Sequence, residues 1–124
     1  GVATVATDQS TTSSSYTDLA TSGPAVTLTT GTKVLVIVSA YEYQSTSGGQ
    51  ARMSYAVSGA TTIAALDSTA VTLRRVDDAN IRASAVSRIT VTAGSNTFTA
   101  KYRTAGSGTA NFLDREICVI DLGS

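Results

Sequence analysis

The 124-residue chain contains no histidine and no tryptophan, one cysteine, Cys118, and one proline, Pro24. The lack of histidine removes the usual general base and the commonest metal ligand, so enzyme and metalloprotein readings start at a disadvantage. A single cysteine excludes an intramolecular disulfide. Its neighbours Ile117 and Val119 suggest a buried thiol that acts as a small hydrophobe rather than a nucleophile. No excess of either charge exists: nine basic and nine acidic residues are scattered along the chain for a net charge of zero. That leaves no electrostatic footprint for nucleic acid or an anionic membrane. No apolar run approaches the roughly twenty residues of a membrane span, and no secretory signal is visible. These absences point to a protein made in a reducing cytosol, with no cofactor, no metal ligands and no catalytic residues to nominate. Gly1 in place of Met fits either removal of an initiator methionine before a small residue or a trimmed chain.

What the sequence has in abundance is strand chemistry. Thirty-seven of the 124 residues are Ser or Thr, and Val, Thr, Ile and Tyr fill the periodic segments, as β-strands prefer. Gly1 to Ser15 reads as an N-terminal arm or edge strand, with a weak strand candidate over Val2 to Thr7. Residues 16–124 read as one domain. Short strands are expected at Tyr16 to Ala20 and Ala25 to Thr29, separated by the turn Ser22-Gly23-Pro24. A long strand covers Lys33 to Tyr43. Ala51 to Val57 follows the loop Gln44 to Gln50 and places Met53, Tyr55 and Val57 on one face. Ala60 to Asn80 reads as a loop with one short strand near Val71 to Arg75. Ile81 to Thr92 is a strand or strand pair, followed by a turn at residues 93–96. Thr97 to Arg103 alternates, with Phe98, Ala100 and Tyr102 inward, and Thr109 to Leu122 is the last strand. About eight strands joined by Gly/Ser turns, with no helical period, predict an antiparallel sandwich or barrel.

Two of these segments have no polar face: Val34-Leu35-Val36-Ile37-Val38, running on to Tyr41, and Ile117-Cys118-Val119-Ile120, running on to Leu122. One face of a strand packs into its own core, so a second apolar face needs a second cover. With no helix to supply it, a neighbouring subunit is the natural candidate. Ile37 and Ile120 are expected to be split, one toward the core and the other toward the subunit neighbour.

The segments "TGTKVLVIVSAYEY", "ARMSYAVSG" and "VTAGSNTFTAKYRTAGSGTANFLDREICVIDL" resemble a small domain that recurs in virion proteins of tailed bacteriophages. The same strand succession is similar to the jelly roll of the tumour-necrosis-factor and complement C1q-like superfamily, whose members usually form trimers with the inner sheet toward the three-fold axis. The chain departs from animal members in lacking a collagen-like stalk, a disulfide and a secretory signal. The resemblance implies an all-β, antiparallel jelly-roll β-sandwich and a homotrimeric decoration or cement protein on the capsid exterior, contacting the major capsid protein and made in the host bacterial cytoplasm. It implies neither nucleic acid nor membrane as a partner. The alternative is a tip domain of a tail or head fibre that binds a host-surface glycan. That reading calls for aromatic and acidic residues on one rim, and no loop aromatics are visible in the sequence.

On the trimer reading, the subunit interface takes in Leu35, Ile37, Tyr41, Tyr43, Arg115, Ile117 and Val119, and the capsid-binding arm takes in Val2, Thr4, Thr7 and Gln9. Tyr41 and Tyr43 share one strand face and suit a subunit contact. Alternation sends Arg115 to one side of its strand and Asp114 and Glu116 to the other, so this charged triplet either forms surface ion pairs or fixes subunit register. Asp77, Asp78 and Asn80 have some calcium-like character but lack the spaced oxygen ligands and Gly turn of an EF-hand loop. The Gly-rich stretches at residues 47–49 and 105–108 lack the strand–helix context and lysine of a phosphate loop and read as turns.

Overall fold

The alternation of β-branched and small residues along each segment produces nine strands in a computed structural model that describes residues 1–78 and 80–124. They are β1 (Val2–Val5), β2 (Gln9–Thr11), β3 (Ala25–Thr30), β4 (Lys33–Gln44), β5 (Gln50–Gly59), β6 (Val71–Arg74), β7 (Ile81–Thr90), β8 (Gly94–Ala105) and β9 (Ala110–Gly123). A single 3-10 turn at Asp67–Thr69 is the one helical piece among the described residues. One sheet runs β1-β9-β4-β7, with β2 also on β9, and the other runs β3-β8-β5-β6; every pairing is antiparallel. Successive strands cross between the two sheets in the order of a jelly roll, as the sequence implied.

The strands match the expected segments except at three places. Tyr16 to Ala20 forms no strand; only Thr17 bridges to Tyr102. Of the two forms expected over Ile81 to Thr92, a single strand, Ile81–Thr90, is the one present. Of the expected turn at 93–96, residues 94–96 already belong to β8, because Gly94, at φ 137°, lets the strand begin without a side-chain clash. The N-terminal arm is ordered by its own chain rather than by a partner: β1 and β2 pair in succession with β9.

The core lies between the sheets. Val34, Val36, Val38 and Ala40 of β4 face Met53, Tyr55 and Val57 of β5 and Phe98, Ala100 and Tyr102 of β8, all buried. The rings of Tyr102 and Phe112 meet at 4.8 Å in a tilted pair, a geometry aromatic quadrupoles favour. The Tyr102 hydroxyl, although buried, donates to the Gly23 carbonyl at 2.8 Å.

A β-bulge decides which residues of β9 reach this core. Asp114 has φ 48°, and across from it the register passes from Tyr41↔Leu113 to Ser39↔Glu116. Ala40 therefore opposes two residues, Asp114 and Arg115, and the extra one shifts the inward set of β9 from even to odd numbers. Ala110 and Phe112 point inward before the bulge, and Arg115, Ile117 and Val119 point inward after it.

This corrects the expected interface for three residues. Arg115, Ile117 and Val119 lie in the chain's own core and are not available to a neighbour. It also corrects the split of Ile37 and Ile120. Leu35 pairs with Ile120 and Ile37 pairs with Cys118, so Ile37 and Ile120 share the outer face.

Asp114→Gly retains the bulge, since glycine adopts positive φ without steric cost, and should alter stability by less than about 1 kcal/mol. Deleting Asp114 turns Arg115, Ile117 and Val119 to the wrong face and should abolish the cooperative melt. Thermal denaturation followed by circular dichroism checks both variants.

Candidate functional site

The surface of interest is the outer face of the β1-β9-β4-β7 sheet, which no other layer of the chain covers among the described residues. Strand register assigns its side chains to rows. Val86, Ile37, Cys118 and Val2 form one row across four strands. Arg88, Leu35 and Ile120 form the next. Val2 and Val86 are each 62% exposed and Ile120 is 43% exposed, while Leu35, Ile37 and Cys118 are half-buried by their neighbours. Cys118 thus sits on this face rather than in the core.

On the other side of the Val86–Ile37 row, Ser84, Ser39, Glu116 and Thr4 make a polar row. Beyond it lie Arg82, Tyr41 and Leu113, and then Tyr43 beside Asn111. The residues expected at one interface therefore occupy two regions. Leu35 and Ile37 belong to an apolar patch, and Tyr41 and Tyr43 belong to a polar, aromatic end. Arg82 stacks its guanidinium over Tyr41 at 5.6 Å, and Arg75 does the same over Tyr43 at 5.4 Å. A shallow groove of about 200 Å³ is lined there by Asp8, the two tyrosines, Glu42 between them on β4, Asn80, Asn111 and Leu113.

The expected capsid-binding residues are likewise divided. Val2 and Thr4 are exposed on β1, and Thr7 is exposed in the turn that follows. Gln9 is engaged inside the chain: its Oε1 accepts from Arg115 Nη2 at 2.8 Å and from the Thr21 backbone N–H at 2.9 Å. Arg115 also donates through Nη1 to the carbonyls of Thr21 and Gly23 at 3.3 and 3.2 Å and stacks over Tyr102 at 5.3 Å. This buried guanidinium ties β9 to the segment before β3. Its role is internal, not that of a charge fixing subunit register.

Two ionisable groups carry features that the sequence did not announce. Glu42 is 1% exposed on the inward side of β4, in line with Val36, Val38 and Ala40, and neither carboxyl oxygen has a hydrogen-bond partner among the described residues. Burial raises its pKa well above the ordinary carboxylate value, and the nearby Leu73 backbone opposes this only in part. The signal was its even position in a run whose even members all face inward.

On the opposite sheet, Asp67 accepts from Arg103 at 2.6 and 3.0 Å and from the Tyr16 hydroxyl at 2.7 Å, with Arg52 pairing beside them. The Arg103 hydrogen bonds hold its carboxyl far below the usual range, with Tyr16 and Arg52 adding to the effect. Asp78 of the acidic loop pairs with Arg75.

The two carboxyls act on stability with opposite signs. Glu42 keeps its proton in the folded state at a pH where the unfolded chain has released it, so its contribution is full below about pH 4.3 and is lost as pH rises from there through its raised folded value. Asp67 is ionised when folded, so its contribution is present above about pH 3.9 and is lost on acidification, reduced by its exposure to solvent. Glu42→Gln should therefore melt higher than the parent at neutral pH, with the gap closing toward pH 4. Asp67→Asn should melt lower at neutral pH, with its gap also closing in acid. Melting temperatures from neutral pH down to about pH 4 test Glu42→Gln, and measurements continued below about pH 3.9 test Asp67→Asn.

Comparison with known proteins supports the architecture. Neither a protein-family model nor a curated protein sequence matches the chain. Among solved structures, the fold is similar to the tumour necrosis factor Eiger from S. frugiperda, with a TM-score of 0.58 and 11% identity over 99% of this chain and 92% of that one. It is also similar to a chain in the structure of infectious bursal disease virus Gx strain, with a TM-score of 0.56 and 15% identity over 100% of this chain. Here the match spans 32% of the viral chain, about a third of its length. At such identities the likeness shows the fold alone: the chain is a jelly-roll β-sandwich of the TNF-like kind.

Proposed function

We propose that this chain is a structural subunit that assembles as a homotrimer through the outer face of the β1-β9-β4-β7 sheet and decorates the exterior of a tailed-bacteriophage capsid. The observation that carries the assembly step is the apolar patch of Val2, Leu35, Ile37, Val86, Cys118 and Ile120. Contiguous apolar surface of this kind on a soluble domain marks an interaction site. Rimmed by Arg88 on one side and by the Ser84–Ser39–Glu116–Thr4 row on the other, it has the apolar centre and polar border of a protein interface. In the TNF-like resemblance this same sheet faces the three-fold axis.

The virion assignment rests on the resemblance of the strand and turn sequences to phage domains, and the jelly roll shared with a chain from a virus structure is compatible with it. The activity is mechanical rather than enzymatic, with the major capsid protein as partner. Val2, Thr4 and Thr7, exposed along the first strand and its turn, remain the contact candidates on the capsid side. Gln9 leaves that set because Arg115 occupies it.

A charge in the centre of the patch should dissociate the assembly. Ile37→Asp is expected to shift the protein from trimer to monomer in sedimentation velocity, while Thr29→Asp, exposed on the opposite sheet, leaves it unchanged. A parent protein that sediments as a monomer at every concentration would overturn the assembly reading. Binding of the trimer, but not of Ile37→Asp, to purified undecorated phage capsids tests the virion step.

A further inference from the structure

The aromatic end of the sheet carries chemistry that an assembly face does not require. We propose that the groove formed by Asp8, Tyr41, Tyr43, Asn80, Asn111 and Leu113 binds a single neutral sugar ring bearing vicinal hydroxyls. This goes beyond the assembly reading and uses a different part of the face, separated from the apolar patch by the Ser84–Ser39–Glu116–Thr4 row.

Size is the first argument. Sites for drug-sized ligands occupy about 300–1,000 Å³. A groove of about 200 Å³ matches one pyranose ring better than a dinucleotide or a peptide.

The second argument is the type of side chain. Phenol rings offer flat apolar surface to the C–H faces of a pyranose, with a hydroxyl at the tip for its oxygens. A carboxylate accepts two hydrogen bonds, and a primary amide donates and accepts side by side, which suits adjacent hydroxyls. Asp8, Asn80 and Asn111 supply one carboxylate and two amides around two tyrosines.

The third argument is hydrogen bonding left unused. Among the described residues, the side chains of Asp8, Asn80, Asn111, Tyr41 and Tyr43 make no hydrogen bond within the chain. On the other sheet, by contrast, Tyr16, Asp67 and Arg103 satisfy one another, as do Asp18 and Lys101 at 2.7 Å. Convergent groups that contribute nothing to holding the fold are available to a ligand.

The fourth argument is preorganisation. The Arg82 and Arg75 stacks restrain the two tyrosines, so less side-chain freedom is lost when a ring docks. Both guanidiniums are already engaged, Arg82 with the Asp114 carbonyl at 3.0 Å and Arg75 with Asp78 and with the Gln44 carbonyl at 3.1 Å. The exposed charged side chain lining the groove is Asp8, so an acidic sugar or phosphate meets a negative group rather than a cation at the groove wall.

Saturation-transfer NMR on the intact chain, with the methyl pyranosides of glucose, galactose, mannose and N-acetylglucosamine at millimolar concentration, tests the site. Transfer to at least one of the four is expected. Tyr43→Ala and Asp8→Asn should each weaken it about tenfold, the loss of one stacked ring or one charge-assisted hydrogen bond. Asp8→Asn changes an exposed turn and guards against misfolding of the strand variant. Ile37→Asp should retain binding, because the groove is complete within one copy. Absence of transfer to all four, transfer unchanged in both groove variants, loss of transfer in Ile37→Asp, or stronger transfer to N-acetylneuraminic acid would each overturn the proposal. A monomeric parent that still binds would leave this site standing while refuting the trimer.

Discussion

The pairing of β4 with β9 is the contact on which the rest of the molecule depends. These two long strands form the middle of one sheet, and every other strand of that sheet attaches to one of them. Their register is set by two irregularities, one at the Lys33/Val34 end of the pairing and the other in its middle, opposite Asp114. Because side chains alternate with a period of two, the bulge at Asp114 determines simultaneously what fills the core and what appears outside. With it, Ile117 and Val119 pack inward with Val36 and Val38, and Cys118 and Ile120 join Ile37 and Leu35 on the surface. Core and exposed patch are two outcomes of one backbone irregularity.

The second consequence of that irregularity is the buried Arg115. Burying a guanidinium is costly unless its donors find acceptors; here two carbonyls and a side-chain amide receive its Nη hydrogens and an aromatic face stacks on it, while Nε has no partner among the described residues. Those acceptors come from β2 and the irregular segment between β2 and β3, stretches with little apolar content to hold them. The arginine takes the place of hydrophobic packing there. On the outer surface of the other sheet, Asp67 gathers Arg52, Arg103 and Tyr16 and anchors the long loop between β5 and β6 in the same manner.

Most of the architecture was legible in the sequence because strand periodicity is local. The alternation of Phe98, Ala100 and Tyr102, the shared face of Met53, Tyr55 and Val57, and the two strands without a polar side all appear as read. Facing was not legible where it depended on counting through a bulge. Asp114 looks like one member of an acidic pair flanking an arginine, and nothing local marks it as the extra residue. The assignment of Ile117 and Val119 to an interface failed for that reason; Cys118 was expected to be buried from its apolar flanks, which are the inward residues, while Cys118 itself points outward. The groove escaped notice for a different one. Its tyrosines were visible on one face of β4, but Asp8, Asn80 and Asn111 are far apart in sequence, and only the sheet order brings them together.

The sheet order also bears on how the chain reaches its native state. β1, β2 and β4 all find their hydrogen-bonding partner in β9, the last of the nine strands. Until that strand is present, the backbone edge of β4 and the apolar side chains on both of its faces have no cover on one side. Contacts of this sequence separation are slow to form, and unpaired apolar edges are the segments most prone to aggregate in the interval. Yield of native protein should thus be governed less by equilibrium stability than by how long β4 waits for β9, and conditions that slow intermolecular encounter will matter more during folding than after it.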